Sequence, residues 1–421
     1  MKKCTFIKCG KLFDGVTEKY LENQAILVEG DKIVAVGENL ECPEDAVVID
    51  LQDKTVTPGL ADIHTHCTAF HNENIMNILS EILTKPTVYR ALGTVHHLNE
   101  LLEHGFTLIR ECGSVEKDWT LRDIRDSIRE GAVSGPDFVV CGHSGGVSGG
   151  HMDLRQYVKN GTAQNEILRI PSIGDGAEFF RQWVRTEFLQ GVDFIKFHID
   201  GGFATPNDDP EQRHMTEDEI AAIIETAHEC GLKATAHIYG DESARIALKH
   251  NVDGIEHGGL LEPETYDLIA EKGAYVVPTM CFFDRGVFLD EDALAHVPSY
   301  MAEKYRQKHE KLCRSRNALI SHIENDTILV GSGTDLGCVE PMTPAYREYE
   351  TMIRSGVSPF KALRIITSNS AKIVGHPELC HIAVGKKADI VAWKLDPIEK
   401  PEAFRECDFV MKSGKIIKSR A

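Results

Sequence analysis

The 421-residue chain has no run of about 18 consecutive apolar residues, the length that marks a membrane-crossing helix, and Met1 to Gly15 (MKKCTFIKCGKLFDG) lacks the continuous apolar stretch of a secretory signal. A cytoplasmic protein is therefore expected. Cys-x-x-Cys pairs are also missing. The twelve cysteines are scattered, which suits reduced, buried apolar residues better than a disulfide framework or a thiolate metal site. No Cys-His spacing supports a thiol nucleophile. Positive charge is in deficit, with 46 Lys and Arg against 65 Asp and Glu and a formal net charge of -19. A field of that sign repels phosphates, so neither nucleic acid nor an acidic membrane surface is an expected partner. Close internal repeats and low-complexity tracts are absent as well.

What is present is the composition of a globular protein, 42% hydrophobic and 26% charged. The length exceeds what one core usually fills, so a large barrel with a smaller accessory domain is expected. Three β-like stretches come first: CTFIKCGKLFDG, QAILVEGDKIVAVG and AVVIDLQDKTVTPG. KADIVAWKLDP and CDFVMKSGKIIK repeat the alternation at the other end, so residues 1–58 and 376–421 are read as one small β-sandwich.

Residues 59–375 alternate strand and helix patterns. Candidate strands lie at Gly59 to His66, Phe106 to Cys112, Asp137 to Gly142, Asp193 to Ile199, Lys233 to Tyr239, Gly254 to Gly258, Ala274 to Met280 and Thr327 to Asp335. Eight strands separated by helices predict an α/β fold of the (β/α)8, TIM-barrel type. Thr216 to Cys230 is one such helix, opened by Thr216 and Glu219 in capping-box spacing and followed by Gly231. Val147 to Gly176 and Phe282 to Ser299 read as long loops, which in a barrel often form the substrate pocket.

Six polar residues stand at the ends of these apolar runs: His64, His66, Lys196, His237, His257 and Asp335. In one barrel all six reach the same mouth, where such folds do their chemistry. Strand periodicity puts Asp62, His64 and His66 on one face, Phe194, Lys196 and His198 on another, and Thr235, His237 and Tyr239 on a third. Two histidines two residues apart on one strand face can reach one cation. A single histidine of this kind is usually a satisfied core residue. Four of them, with an Asp and an inward Lys, suggest a two-metal hydrolase.

VTPGLADIHTH, GVDFIKFHIDGG, TAHIYG, GIEHGG, GSGTD and VGKKADIVAW together resemble the amidohydrolase superfamily over nearly the whole chain. GGHMD around His151 and IRECGS around Arg110 extend the likeness to its metal-dependent prolidases and Xaa-Arg or Xaa-Lys dipeptidases. The resemblance implies that His64 and His66 bind one metal and His237 and His257 a second. It further implies that Lys196 bridges both as a carbamate formed with carbon dioxide. Asp335 would ligate weakly, take the proton of an attacking hydroxide held between the metals, and deliver it to the leaving amine. Zinc is the default metal for a hydrolase. The implied substrate is a small molecule, a dipeptide or N-acyl amino acid, and a homo-oligomer is common among such relatives.

Other residues keep two readings. Tyr239 either donates to the developing oxyanion or packs its ring. His143, His151 and Asp153 in GHSGGVSGGHMD either meet substrate or are ordinary loop residues, and His198 adds an imidazole on the Lys196 face. Arg110 either braces the barrel mouth or touches substrate. Asp200 replaces a Ser usual after the lysine segment, Met152 stands where a small residue is usual, and Glu111 replaces an Asp. Asp200 and the loop Asn207 to Glu211 either select a cationic side chain or are solvated charges. The alternative activities are a mononuclear deaminase of a heterocycle, which would lack the bridging lysine, and an amidase or lactonase on another small molecule. A metal-free scaffold would have lost several of the ligands.

Overall fold

A computed structural model describes residues 4–69, 75–158, 166–335 and 345–420. Strands from both ends of the chain build one seven-stranded sheet in the order β14-β13-β12-β4-β1-β2-β3. β1 spans Cys4–Leu12, β2 Leu21–Glu29, β3 Lys32–Gly37 and β4 Val47–Pro58; β12 spans Ile390–Trp393, β13 Cys407–Lys412 and β14 Lys415–Ser419. The two termini meet where β12 runs antiparallel to β4, and the Trp393 indole donates to Thr57 Oγ1 at 2.9 Å. Ile7, Ile26, Ile33, Leu51, Ile390 and Phe409, one from each of six strands, share an apolar core. Ile33 N–H donates to Lys386 O and Ala388 N–H to Asp31 O. These bonds join the β3 edge to the segment leading into β12, so one sheet curls over its own core where two stacked layers were expected.

Between the termini, β5 (Leu60–Thr65), β6 (Phe106–Glu111) and β7 (Asp137–Val140) form a parallel sheet. A second parallel sheet holds β8 (Phe194–His198), β9 (Lys233–Ile238), β10 (Gly254–His257) and β11 (Tyr275–Val277). Nearly every residue of these strands is buried, as expected where helices cover one face and side chains fill the other. Ile195, Phe197 and Ile199 pack in the main core while Phe194 joins a separate cluster, which agrees with the two-faced reading of β8.

The eighth candidate differs from expectation. Thr327 to Asp335 is not a strand; it makes a single parallel bridge from Val330 to Val276. Its backbone is nevertheless bonded on both sides, to Val276 through Leu329 O and Gly331 N–H, and to Ile63 and His64 through Ser332 O and Asp335 N–H. Glycine allows that approach: a Cβ on Gly333 would lie 2.5 Å from His64 Cβ and 2.6 Å from Val277 Cγ1. On the opposite side Asp193 N–H donates to Val140 O and Gly145 N–H to Lys196 O, joining the two sheets.

The helix at Glu217–Glu229 forms as expected, with the Glu219 carboxylate accepting from the Thr216 N–H at 2.8 Å and its hydroxyl at 2.9 Å. Phe282 to Ser299 is not a loop. Helices at Met280–Val287 and Glu291–Ala295 occupy it, and Phe282, Phe283, Val287 and Leu294 pack against Tyr305 and Leu312 of the helix Ser299–Glu324. These helices are too short for their periodicity to stand out in sequence. Among the described residues of the Val147 to Gly176 segment are a 3-10 turn, Leu154–Tyr157, and helical residues at 166–167; residues 159–165 lie outside those described. No helix among the described residues is long and apolar enough to cross a membrane.

Candidate active site

The ends of β5, β9 and β10 bring four imidazoles into a row. Ring centroids lie 5.6 Å apart from His66 to His64, 4.7 Å from His64 to His257 and 4.6 Å from His257 to His237. Asp335 Oδ1 closes one end, 3.2 Å from His66 Nε2 and 3.5 Å from His64 Nε2. One potential ligand atom from each of His64, His66 and Asp335 lies within 4.8 Å of the others. Lys196, on the neighbouring β8, is wholly buried. β8 pairs with β9, with His198 opposite His237, so Lys196 stands on the strand beside that of His237.

Strand alternation alone does not make this row. Glu256 and His257 are adjacent on β10, yet both reach the interior. His257 has φ of 72°, a left-handed conformation that ends the alternation there, and Asp335 likewise has φ of 59°. Glu256, which sequence reasoning missed, accepts from His64 Nδ1 at 2.7 Å, Arg110 Nη2 at 2.6 Å and Thr235 Oγ1 at 2.7 Å. Arg110 also donates to Ile63 O and to the Tyr275 hydroxyl. It therefore braces the interior, one of its two expected roles. The only available signal was an acidic residue in the middle of an apolar strand. Cys112 lies close to His64 and Glu256, but both Glu256 oxygens are already engaged by its three donors, so that grouping is a brace.

Burial is the main force on the imidazoles. It pushes His64, His198, His237 and His257 well below the ordinary histidine range, with the Lys196 charge adding to it. These rings are neutral, the form that binds metal. His66 moves the other way, because Asp335 and Glu111 outweigh its burial. Burial works to raise Asp335 too, but the His66 hydrogen bond and the His64 and Lys196 charges bring it below the usual carboxylate range. Asp62 and Glu111 are pushed up to about 7 by burial. Asp62 accepts from the Thr334 hydroxyl at 2.5 Å, tying β5 to the segment before Asp335.

The donor set suits divalent metal ions. Each imidazole has one nitrogen held by the protein: His64 Nδ1 by Glu256, His66 Nδ1 by Gly113 O, His237 Nε2 by Gly201 O and His257 Nδ1 by Thr279 Oγ1. The other nitrogen of each is left to ligate, the usual arrangement around a metal. Among the described residues, His64 Nε2 and Lys196 Nζ are buried with no hydrogen-bond partner. An unpaired buried amine is costly, and a carbamate sharing metals would remove that cost. The ion pair of Lys196 with Asp62 or Asp335 that a structural role requires is not found among the described residues.

The remaining candidates divide. Tyr239 stacks on His257 at 5.2 Å and meets His237 edge-on at 4.8 Å. His151 stacks on His237 at 4.6 Å and is held by Thr205 Oγ1 and Asp208. Its ring rests on Gly202, where a Cβ would come 2.0 Å from His151 Cε1. His198 lies 4.9 Å from His237, with Nδ1 donating to Gly145 O. His143 sits in a side cluster, donating to Glu187, which also accepts from the indoles of Trp119 and Trp183. Asp153 caps its own turn and pairs with Arg155.

The acidic residues considered for a cationic side chain are used internally. Asp200 accepts from Tyr239 N–H, Gly240 N–H and the Ser243 hydroxyl. Asp208 pairs with Lys304, Asp209 with Lys308, and Glu211 with Lys308 and Lys311. Neither a cation-selecting role nor simple solvation describes them.

A model of the amidohydrolase family matches residues 55–417. Ochratoxinase of Aspergillus niger is 25% identical over 436 residues, spanning 99% of this chain and 87% of its own. The structure of a Xaa-Pro dipeptidase with bound methionine in the active site matches with a TM-score of 0.83 at 26% identity, over 98% of this chain and 99% of that one. A prolidase complexed with N-methylphosphonate-L-proline matches at 0.84 and 28% identity, over 99% and 100%.

Proposed function

This chain belongs to the amidohydrolase family, as a hydrolytic enzyme acting on carbon–nitrogen bonds of small molecules, and from that premise we propose that it cleaves the amide bond of a dipeptide or N-acyl amino acid at a two-metal centre. The observation that carries the reading is the row of four imidazoles with Asp335 at one end and the unpartnered amine of Lys196 buried on the strand beside that of His237. His64, His66 and Asp335 would hold one cation, His237 and His257 the other, and Lys196 both as its carbamate. Zinc is the metal expected for a hydrolase. Bound there, two divalent cations supply a water that ionises near neutral pH and polarise the substrate carbonyl.

The chain's own residues then handle the protons. Asp335 accepts one from the attacking water and delivers it to the leaving nitrogen, a role worth about 10²- to 10⁴-fold in rate. Tyr239, against both His237 and His257, donates to the oxygen on which negative charge develops. His151 and His198 line the substrate side of His237, with His143 further out. The names of the matching dipeptidase and prolidase support a peptide-like substrate. Residues 59–375 are read as one closed barrel with the 327–335 segment as its eighth member, and 1–58 with 376–421 as the accessory domain.

Metal content per chain, measured on protein purified without chelator and on Lys196→Ala, tests this reading together with a screen of dipeptides and N-acyl amino acids. Two ions per chain, largely lost in the variant, are expected. A single ion unaffected by the substitution would replace the proposal with the mononuclear deaminase.

A further inference from the structure

His257 owes its orientation to a turn built in an unusual way. Thr279 follows β11 and occupies the N-cap of the helix Met280–Val287, where a Thr side chain ordinarily accepts a backbone N–H of the first turn. It does not do so here. Its backbone is left-handed, with φ 46° and ψ 50°, a conformation that a β-branched residue avoids. In that conformation its Oγ1 lies 2.8 Å from His257 Nδ1. The cap is supplied from elsewhere. Glu348, wholly buried on the helix Arg347–Arg354, accepts the Met280 N–H on Oε1 and the Cys281 N–H on Oε2, both at 2.8 Å.

We propose that Glu348 is a positioning residue for the metal centre: by capping the Met280–Val287 helix in place of Thr279, it frees the Thr279 hydroxyl to hold the His257 imidazole with Nε2 toward the site. The inference rests on the two-metal reading above. The Glu348 side chain suits the task because the helix start carries unpaired N–H groups and its two oxygens accept one each. Thr279 suits it because a hydroxyl can receive the Nδ1–H and so fix the tautomer in which Nε2 has its lone pair free. The same turn reaches the other end of the site, since Cys281 Sγ donates to Thr334 O, next to Asp335. A separate helix thus acts on His257 through two hydrogen-bonding steps.

Thr279→Val keeps the branched shape and removes the hydroxyl, Thr279→Ser keeps the hydroxyl, and Glu348→Gln keeps the volume but cannot offer both N–H groups a carboxylate oxygen. Two measurements on the full chain distinguish the roles. The first is the release of bound metal into a chelator, with thermal unfolding recorded alongside. Thr279→Val and Glu348→Gln should release one of the two ions about 10- to 100-fold faster, the usual size of an effect from a ligand's hydrogen-bond partner, while Thr279→Ser follows the wild type. The second is the nitrogen-15 NMR signature of the His257 ring in metal-free protein. It should report the Nδ1–H tautomer in the wild type and Thr279→Ser and a mixture in the other two.

A Glu348→Gln protein that melts earlier but keeps wild-type release and the wild-type tautomer would make Glu348 a purely structural cap and overturn the inference. So would an unaltered Thr279→Val, which stays informative if the Glu348 variant fails to fold. One ion per wild-type chain, with the tautomer shift intact in the variants, would remove the two-metal reading and leave the positioning role standing.

Discussion

His64 and the two histidines beyond it in the row are held by different means. His64 is fixed from within the strands, by Glu256 on β10, which is itself fixed by Arg110 on β6 and Thr235 on β9. His237 and His257 are fixed from loops, by a backbone carbonyl at Gly201 and a hydroxyl at Thr279. The first arrangement is ionic and wholly buried; the second is neutral and depends on how segments beyond the strand ends are secured. Damage to the strand-borne half should therefore cost the fold, whereas damage to the loop-borne half should cost metal retention or substrate handling while leaving a folded protein.

The strongest test of that contrast is Arg110→Met, which leaves the Glu256 carboxylate buried without its cation. Breaking such a pair costs about 3–5 kcal/mol, so chemical denaturation should show a large loss of stability. A shift within experimental error would mean that the strand half is no more rigid than the loop half. Asp335→Asn sharpens the comparison where the two halves meet, because Asp335 bonds to strand histidines but sits on a left-handed turn. Turnover should fall about 10²- to 10⁴-fold with most metal and most stability retained. Unchanged turnover would remove Asp335 from the chemistry.

The smallest expected effect is on the loop side. Lys304 Nζ donates to Gly202 O and Thr205 O at 2.6 Å and to Asp208 at 2.9 Å, and so secures the segment that seats His151 against His237. Lys304→Met should raise KM with little change in kcat and lower stability by about 1.5–3 kcal/mol, the scale of hydrogen bonds to a charged group. Loss of bound metal in this variant would extend the role of the segment from substrate to metal.

Much of this site was legible before folding because its polar residues end apolar strands. His64, His66, Lys196 and His237 stand on alternating runs whose inward face can be counted, and the capping box at Thr216 and Glu219 is a local pattern. Glu256 was hidden because its value lies in partners on three other strands. Asp200 and the 207–211 loop misled because a run of acidic residues carries no record of the Ser243 hydroxyl or the lysines of the Ser299–Glu324 helix that absorb it. Thr279 and Glu348 gave no signal: a Thr after a strand and a Glu in an amphipathic helix are ordinary until they are brought together.

The sequence by itself determined where seven of the eight expected central strands form, which residue types end them, and that the termini pair with each other, because alternation, turn chemistry and apolar spacing act over a few residues. Tertiary structure alone decided how the last side chains turn. At His257, Thr279 and Asp335 the backbone is left-handed, where strand periodicity no longer applies. The direction of each side chain is then set by hydrogen bonds from residues far away in the chain. Glu348 and Asp62 bond to the neighbours of those turns, at Met280, Cys281 and Thr334, and no local pattern encodes these contacts.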